Sequence, residues 1–402
     1  MNKKLLIFAA VLIAVAAAFV SYAFFEPDIA SIRYTANTAG VGNSGGNTLE
    51  EMVSVPEKTE MSFLSGEDAV VVTHIETPSE VKGVYVSSWV AGSANLFSKI
   101  VKMVDTTELN TVVIDIKDST GKISFEMKNP DITQYKSTEK RIAAPKKLIA
   151  DLHSKGIYVV GRLTVFQDPY MAKLNPDWAI KTKSTGAVWK DNKGLSFLDP
   201  SNEDVWKYIV DIANESYAMG FDEINFDYIR FPSDGNMKDI AYPNEGGTIT
   251  RADIMKNFYE HLHEALKDSG IKTSADMFGL VTTSKDDLGI GQVLEKALPY
   301  FDYICPMVYP SHYAKGSYNI AEPAKHPYEI VKTSMEGAVA RAKAIGEDPA
   351  KLRPWIQDFN LGATYTADMV RTQMQATYDV GLNSWLLWDA ANTYTASALL
   401  SS

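Results

Sequence analysis

A (β/α)8 barrel is predicted for this 402-residue chain by three observations: short apolar runs alternate with amphipathic stretches from Val81 onward, the runs number eight, and polar side chains gather at their C-terminal ends. The alternation by itself also fits a doubly wound open sheet, which would bind ligands at a switch point, but nothing in that fold calls for eight units. Strands are expected over 82–89, 111–118, 158–166, 223–231, 272–278, 302–309, 352–359 and 384–389. Helices are expected between them over 95–107, 145–155, 201–219, 251–269, 290–300, 327–345 and 367–380, with a short last one within 391–400.

The helix ends carry their own chemistry. Pro145 stands where a first helical turn needs no N–H, and Gly156, Gly270, Gly346 and Gly381 stand where a left-handed residue ends a helix. The fourth strand is the most informative. In Gly220-Phe-Asp-Glu-Ile-Asn-Phe-Asp-Tyr-Ile-Arg-Phe-Pro232, Ile224, Phe226 and Tyr228 alternate with Asn225 and Asp227, so its two faces meet different surroundings. Charges in such a strand must be paired or solvated, because burying one alone is costly.

Upstream of the barrel the composition changes. Lys3 and Lys4 precede an apolar run from Leu5 to Phe25, long enough to cross a bilayer as a helix, so residues 1–25 are expected to be a signal anchor or a signal peptide. Charge on the N-terminal side places the bulk of the chain outside the cytoplasm, on the cell membrane or secreted if the segment is cleaved. Residues 26–80 are rich in Ser, Thr, Gly, Asn and Glu and read as a low-complexity linker, with Val70 to Val72 as a possible short strand, and the barrel occupies 81–402.

Composition narrows the function classes. A hydrophobic fraction of 46% suffices for a large core, and a net charge of -11 lacks the basic footprint of a nucleic-acid binder. The single cysteine, Cys305, lies in an apolar run and can form neither an intrachain disulfide nor a cysteine cluster. The 6 histidines are scattered without metal-ligand spacing, so no metal and no cofactor are expected. Nothing in the sequence speaks to oligomeric state.

In a barrel, chemistry sits where the strands end and the βα loops converge. Those ends present Ser87 and Trp89, then Asp115, Lys117 and Asp118, then Arg162, Gln167 and Asp168, then Asp227 and Arg230. The later strands add Asp276, then Tyr309 and His312, then Gln357 and Asp358, and finally Trp388 and Asp389. Aromatic faces, amides and carboxylates together describe a sugar site, and glycosidic hydrolysis needs a pair of carboxyl groups. Asp227 and Asp276 sit at equivalent depth on neighbouring strands, which lie about 4.8 Å apart, and this makes them the candidate catalytic pair. Trp89, Asp115, Arg162, Arg230, Tyr309, His312, Gln357, Trp388 and Asp389 are the candidate substrate-binding residues.

Each has a plainer alternative. Asp227 also fits a partner for Arg230 or for nearby backbone, Asp276 a loop cap, His312 a surface histidine, and Asp115 with Lys117 an internal ion pair. Asp199 reads as turn chemistry before a helix, and Trp178, Trp189 and Trp206 as packing residues.

Several motifs, in this order, resemble a bacterial family known as the putative glycoside hydrolase domain: Val113-Ile-Asp-Ile-Lys-Asp118, Gly161-Arg-Leu163, Leu198-Asp-Pro200, Phe226-Asp-Tyr-Ile-Arg-Phe-Pro232, Pro306-Met-Val-Tyr-Pro310 and the closing Trp388. The resemblance runs from about Val81 to Thr395. It implies a barrel related to extracellular glycoside hydrolases, with Asp227 as the leading catalytic residue, Arg230 orienting it or acting on it through its nearby charge, and Asp276 as its partner. The fourth strand is also similar to the chitinase signature, in which alternating aspartates lead to a catalytic glutamate. Asp222 and Asp227 match it, Asn225 replaces an aspartate, and Ile229 stands in place of the glutamate. Two functional expectations follow: a glycoside hydrolase acting on an extracellular or cell-envelope polysaccharide, or a catalytically inactive carbohydrate-binding barrel at the cell surface.

Overall fold

Eight parallel strands close into a barrel in the computed structural model, which describes residues 70–243 and 247–402. They are β1 (Lys82–Val86), β2 (Thr111–Lys117), β3 (Tyr158–Thr164), β4 (Glu223–Asp227), β5 (Lys272–Phe278), β6 (Tyr303–Met307), β7 (Trp355–Gln357) and β8 (Trp385–Trp388). Each pairs with its sequence neighbours, and β1 closes the barrel against β8 through Lys82↔Trp385 and Gly83↔Leu386. All eight lie within the expected segments. The expected anchor over 1–25 and most of the linker over 26–80 fall outside the described residues, among which no helix is long and apolar enough to cross a membrane.

The helices form an outer layer, starting and stopping for local reasons. Asn202 caps Glu203–Tyr217 by accepting from Asp204 and Val205 N–H, and Asp199 makes the turn just before it by accepting from Ser201. Thr250 and Asp253 form a reciprocal capping box on Arg251–Leu266. Pro145 and Pro327 occupy first turns, and Gly156, Gly270, Gly346 and Gly381 all take positive φ at the ends. The expected helix over 290–300 shrinks to Leu294–Ala297, because Leu288, Gly289 and Gly291 are all left-handed just before it. No α-helix follows β8: Asp389 accepts from the N–H groups of Ala391 and Thr393, holding a turn, and only a 3-10 turn at Ala396–Ala398 remains.

Two cores result from the period-2 alternation of the strands. Between barrel and helices lies the larger one, with Ile114, Ile116, Leu163, Ile224 and Phe226 facing outward; inside the barrel lie Tyr85, Val113, Tyr158, Val160, Cys305, Trp355 and Leu386. Cys305 is a buried free thiol whose ionisation burial pushes far up. Gly161 on β3 exists for packing: an added Cβ would lie 2.3 Å from Ile116 Cδ1 and 2.9 Å from Phe221 Cδ1. Gly161→Ala is therefore expected to destabilise the barrel by about 1–3 kcal/mol through overpacking, measurable by urea denaturation.

The barrel floor is closed by the segment just before β1. No strand forms at Val70 to Val72; instead Ile75 N–H donates to Asp222 at 2.8 Å, Thr77 bonds Tyr158 Oη at 3.0 Å, and Thr73 bonds His153 at 2.9 Å. Beneath the strands, Arg353 pairs with Glu223 at 3.0 Å. Glu223 thus sits at the bottom of β4 and Asp227 at its mouth.

Candidate active site

Four interior side chains at the mouth form one charged chain. Arg162, from β3, donates from Nη1 to Asp115 Oδ1 of β2 at 2.6 Å and from Nη2 and Nε to Asp227 Oδ2 of β4 at 2.5 and 3.0 Å. Tyr85 of β1 donates its hydroxyl to the other oxygen of Asp115 at 2.6 Å. The ladder explains the meeting, since Asp115 is level with Arg162 and Thr164 with Asp227. Burial works against the charge on Arg162, but the two carboxylates hold its guanidinium well above its ordinary range. Asp115 is raised by burial, an effect that Arg162 partly offsets.

Asp276 on β5 lies beside this chain but is bonded differently. Its Oδ1 accepts from Asn225 Nδ2 at 2.9 Å and from the Trp355 indole N–H at 2.7 Å, both neutral donors. Burial first, and the negative charge of Asp227 second, push its carboxyl well above the usual range. Asp227 is level with Asp276, one step beyond the Phe226↔Ala275 pair. Asp227 is 5% exposed and Asp276 1%. Asp276 makes no loop cap.

An aromatic wall stands over the carboxyl groups. Trp388 stacks on Tyr85 with centroids 4.1 Å apart and meets Trp355 edge-on at 5.5 Å, and the Arg162 guanidinium lies 5.2 Å from the Trp388 ring. Tyr309 continues the wall toward His312 and Phe359, with centroids 5.3 and 5.7 Å away. Burial lowers His312 to about 4, so near neutral pH it is an uncharged part of that wall. Gln357 and Asp389 serve the loops. Gln357 accepts from Ser311 N–H and donates to Phe359 carbonyl, and Asp389 holds the turn after β8.

Two expectations need correction. Asp115 and Lys117 do not pair: a register shift between them in the β2–β3 ladder sends Lys117 to Asp168 at 2.5 Å, near the Tyr208 ring. Arg230 does not orient Asp227 by a hydrogen bond and acts on it only through its charge. Strand β4 ends at Asp227 because Tyr228 has φ 53, and beyond that left-handed residue Arg230 donates to Phe231 carbonyl and Ser233 Oγ among the rings of Phe197, Tyr228 and Phe278. The guanidinium of Arg162, a candidate for substrate contact, is held by the two carboxylates. The same turn buries Ile229 completely in the outer core, so the position that resembled a catalytic glutamate is packing.

Residues outside the expected set also belong to the site. Tyr85 was legible as the inward residue two before Ser87. Asn225 and Trp355 carry no such signal, because nothing local announces a hydrogen bond across the barrel. Elsewhere, the clefts lined by Lys128, Asn129, Lys146, Asp211 and Glu215 and by Val70, Glu126 and Pro145 lie on the outer helical side, away from Asp115, Asp227 and Asp276. Among the described residues no His, Cys, Asp and Glu cluster is arranged for a metal.

The chain is similar to several solved structures, of which the PgaB domain supports the barrel fold. A hypothetical protein from Ruminiclostridium thermocellum shares 32% identity over 52% of this chain and 98% of its own, with a TM-score of 0.44. The PgaB glycoside hydrolase domain from Bordetella bronchiseptica aligns over 79% of this chain and 97% of its own at 15% identity, with a TM-score of 0.58. A chitinase from Chromobacterium violaceum covers 79% of this chain and 96% of its own at 14% identity and a TM-score of 0.45. No curated protein matches the chain in sequence. A family sequence model does match, over residues 83–394, which is the whole barrel from β1 to the turn after β8, and by that match the chain belongs to the putative glycosyl hydrolase domain family.

Proposed function

We propose that the protein hydrolyses glycosidic bonds in an extracellular or cell-envelope polysaccharide, with Asp227 and Asp276 as the reacting carboxyl groups. The observation that carries this reading is their contrasting environment on adjacent strands. Asp227 is paired with the Arg162 guanidinium, whereas Asp276 accepts only from neutral donors, and its burial beside the Asp227 charge favours the protonated form. A carboxyl group held protonated beside a second one placed to attack or to activate water is what acid-assisted glycoside cleavage requires. Asp276 protonates the leaving oxygen, while Asp227 attacks the anomeric carbon or activates water. Trp388 and Tyr309 supply the apolar faces against which a pyranose ring packs, and Thr164 Oγ1 and Asn225 Oδ1, buried without a protein partner, are acceptors for a sugar hydroxyl or water.

A location outside the cytoplasm, tethered or exported through residues 1–25, is part of the same proposal and rests on Lys3, Lys4 and the apolar run that follows. One observation favours a second reading, a sugar-binding barrel without turnover: Asp276 is 1% exposed, so a donor role requires the wall above it to part. The test is release of reducing ends from a panel of bacterial polysaccharides by the full-length protein. Turnover by wild type that Asp227→Asn abolishes while binding persists supports hydrolysis; binding without turnover across the panel supports the second reading.

The proton on Asp276 gives the pH dependence its sign. Activity is expected to fall as pH rises through the elevated Asp276 pKa. Trp355→Phe removes a hydrogen bond that favours the carboxylate, so that alkaline limb moves to higher pH in kcat/KM profiles.

A further inference from the structure

Trp89 is the one exposed residue among the chain's 7 tryptophans, at 56%, and it stands on the rim of the mouth. It lies on the helix Ser88–Ala91 that leaves the C-terminal end of β1, four residues beyond Tyr85 of the charged chain. A single exposed apolar ring needs no explanation by itself, so what singles out Trp89 is its place at the mouth and its mounting. The ring is also held from below. The Arg141 guanidinium lies 4.8 Å from its centroid, and Arg141 is fixed by Ser88 Oγ at 3.1 Å, by Glu139 at 2.7 Å and by Asp118. Gly92 completes the mount: an added Cβ would come within 2.0 Å of the Arg141 carbonyl oxygen, so only glycine lets the two loops close.

We infer that Trp89 is an outer sugar subsite, a rigid platform on which a unit of a glycan chain stacks while another unit occupies the mouth. This rests on the proposed glycoside-cleaving function and specifies its substrate as a chain of several sugars rather than a small glycoside. A pyranose presents an apolar C–H face, and a flat ring already fixed by a guanidinium loses little freedom on covering it. Arg141 is committed to Asp118 and Glu139, so the platform offers a face rather than a charge and suits a neutral or cationic sugar unit.

Affinity measured by calorimetry on the full-length protein, with cello-, chito-, deacetylated chito- and malto-hexaoses and the matching disaccharides, tests the inference. Wild type is expected to bind at least one hexasaccharide about tenfold more tightly than its disaccharide. Trp89→Ala is expected to erase that advantage, and Trp89→Phe to keep most of it. Gly92→Ala is expected to weaken the hexasaccharide as well, because it displaces Arg141 from under an intact ring. Equal hexasaccharide affinity in wild type and Trp89→Ala overturns the subsite and leaves hydrolysis standing. Absence of both binding and turnover by wild type throughout the panel overturns the functional reading and the subsite with it.

Discussion

Asp276→Asn is expected to lower turnover by about 10²–10⁴-fold, the range for removing a positioned proton donor, with substrate affinity largely kept. Asparagine has the size of aspartate and accepts the same Asn225 and Trp355 hydrogen bonds, so the loss isolates the proton. The variant carries a second, independent signature in stability. Burial and the Asp227 charge raise the Asp276 pKa in the folded chain, so the native state holds a proton that the unfolded chain releases at lower pH. The stability tied to that proton is complete below the ordinary carboxylate range and is lost as pH rises through the elevated native value. Thermal melts across that window should therefore show wild type losing stability relative to Asp276→Asn as pH increases. Parallel curves would mean that Asp276 is ionised in the native barrel, and the donor role would go with it.

Arg162→Met is expected to cost about 3–5 kcal/mol, read by urea denaturation at neutral pH, because it strands buried carboxylates at Asp115 and Asp227. Part of that cost returns in acid, where Asp115, already raised by burial, takes up a proton, so the deficit against wild type should shrink as pH falls. Arg162→Lys should recover little. The guanidinium reaches two strands through different nitrogens, whereas an ammonium is a single point that cannot hold both partners at 2.5–2.6 Å. An Arg162→Met barrel as stable as wild type would show that water reaches these carboxyl groups freely.

The barrel was legible because strand and helix periods alternate without ambiguity, and because the glycines and prolines at the boundaries act locally. Strand ends were read too long wherever apolar sequence runs on past the last ladder bond. Tyr228 to Phe231 is mostly apolar and well buried, yet the left-handed Tyr228 has already taken it out of the sheet. The carboxyl groups of the site were visible from their place at the strand ends. Their pairing was not, since Arg230 is nearer to Asp227 in sequence and Arg162 is nearer in space. What decides between them is inward alternation on β3 against the turn after β4, which depends on one backbone dihedral. The Lys117 and Asp168 pair escaped for a similar reason, a single register shift in β2.

Closure of the barrel also orders events in time. The Val81 N–H donates to Ser384 Oγ across 303 residues, and β1 meets β8 next to it, so the seam joins the first and last strands of the barrel. Contacts that far apart in sequence form late and slowly, because a long loop must be closed before they contribute. The Tyr85 and Trp388 stack lies on that seam. A ribosome must deliver nearly the whole chain before the mouth exists, and the wall over Asp115 is assembled by the same step that makes the barrel a closed surface.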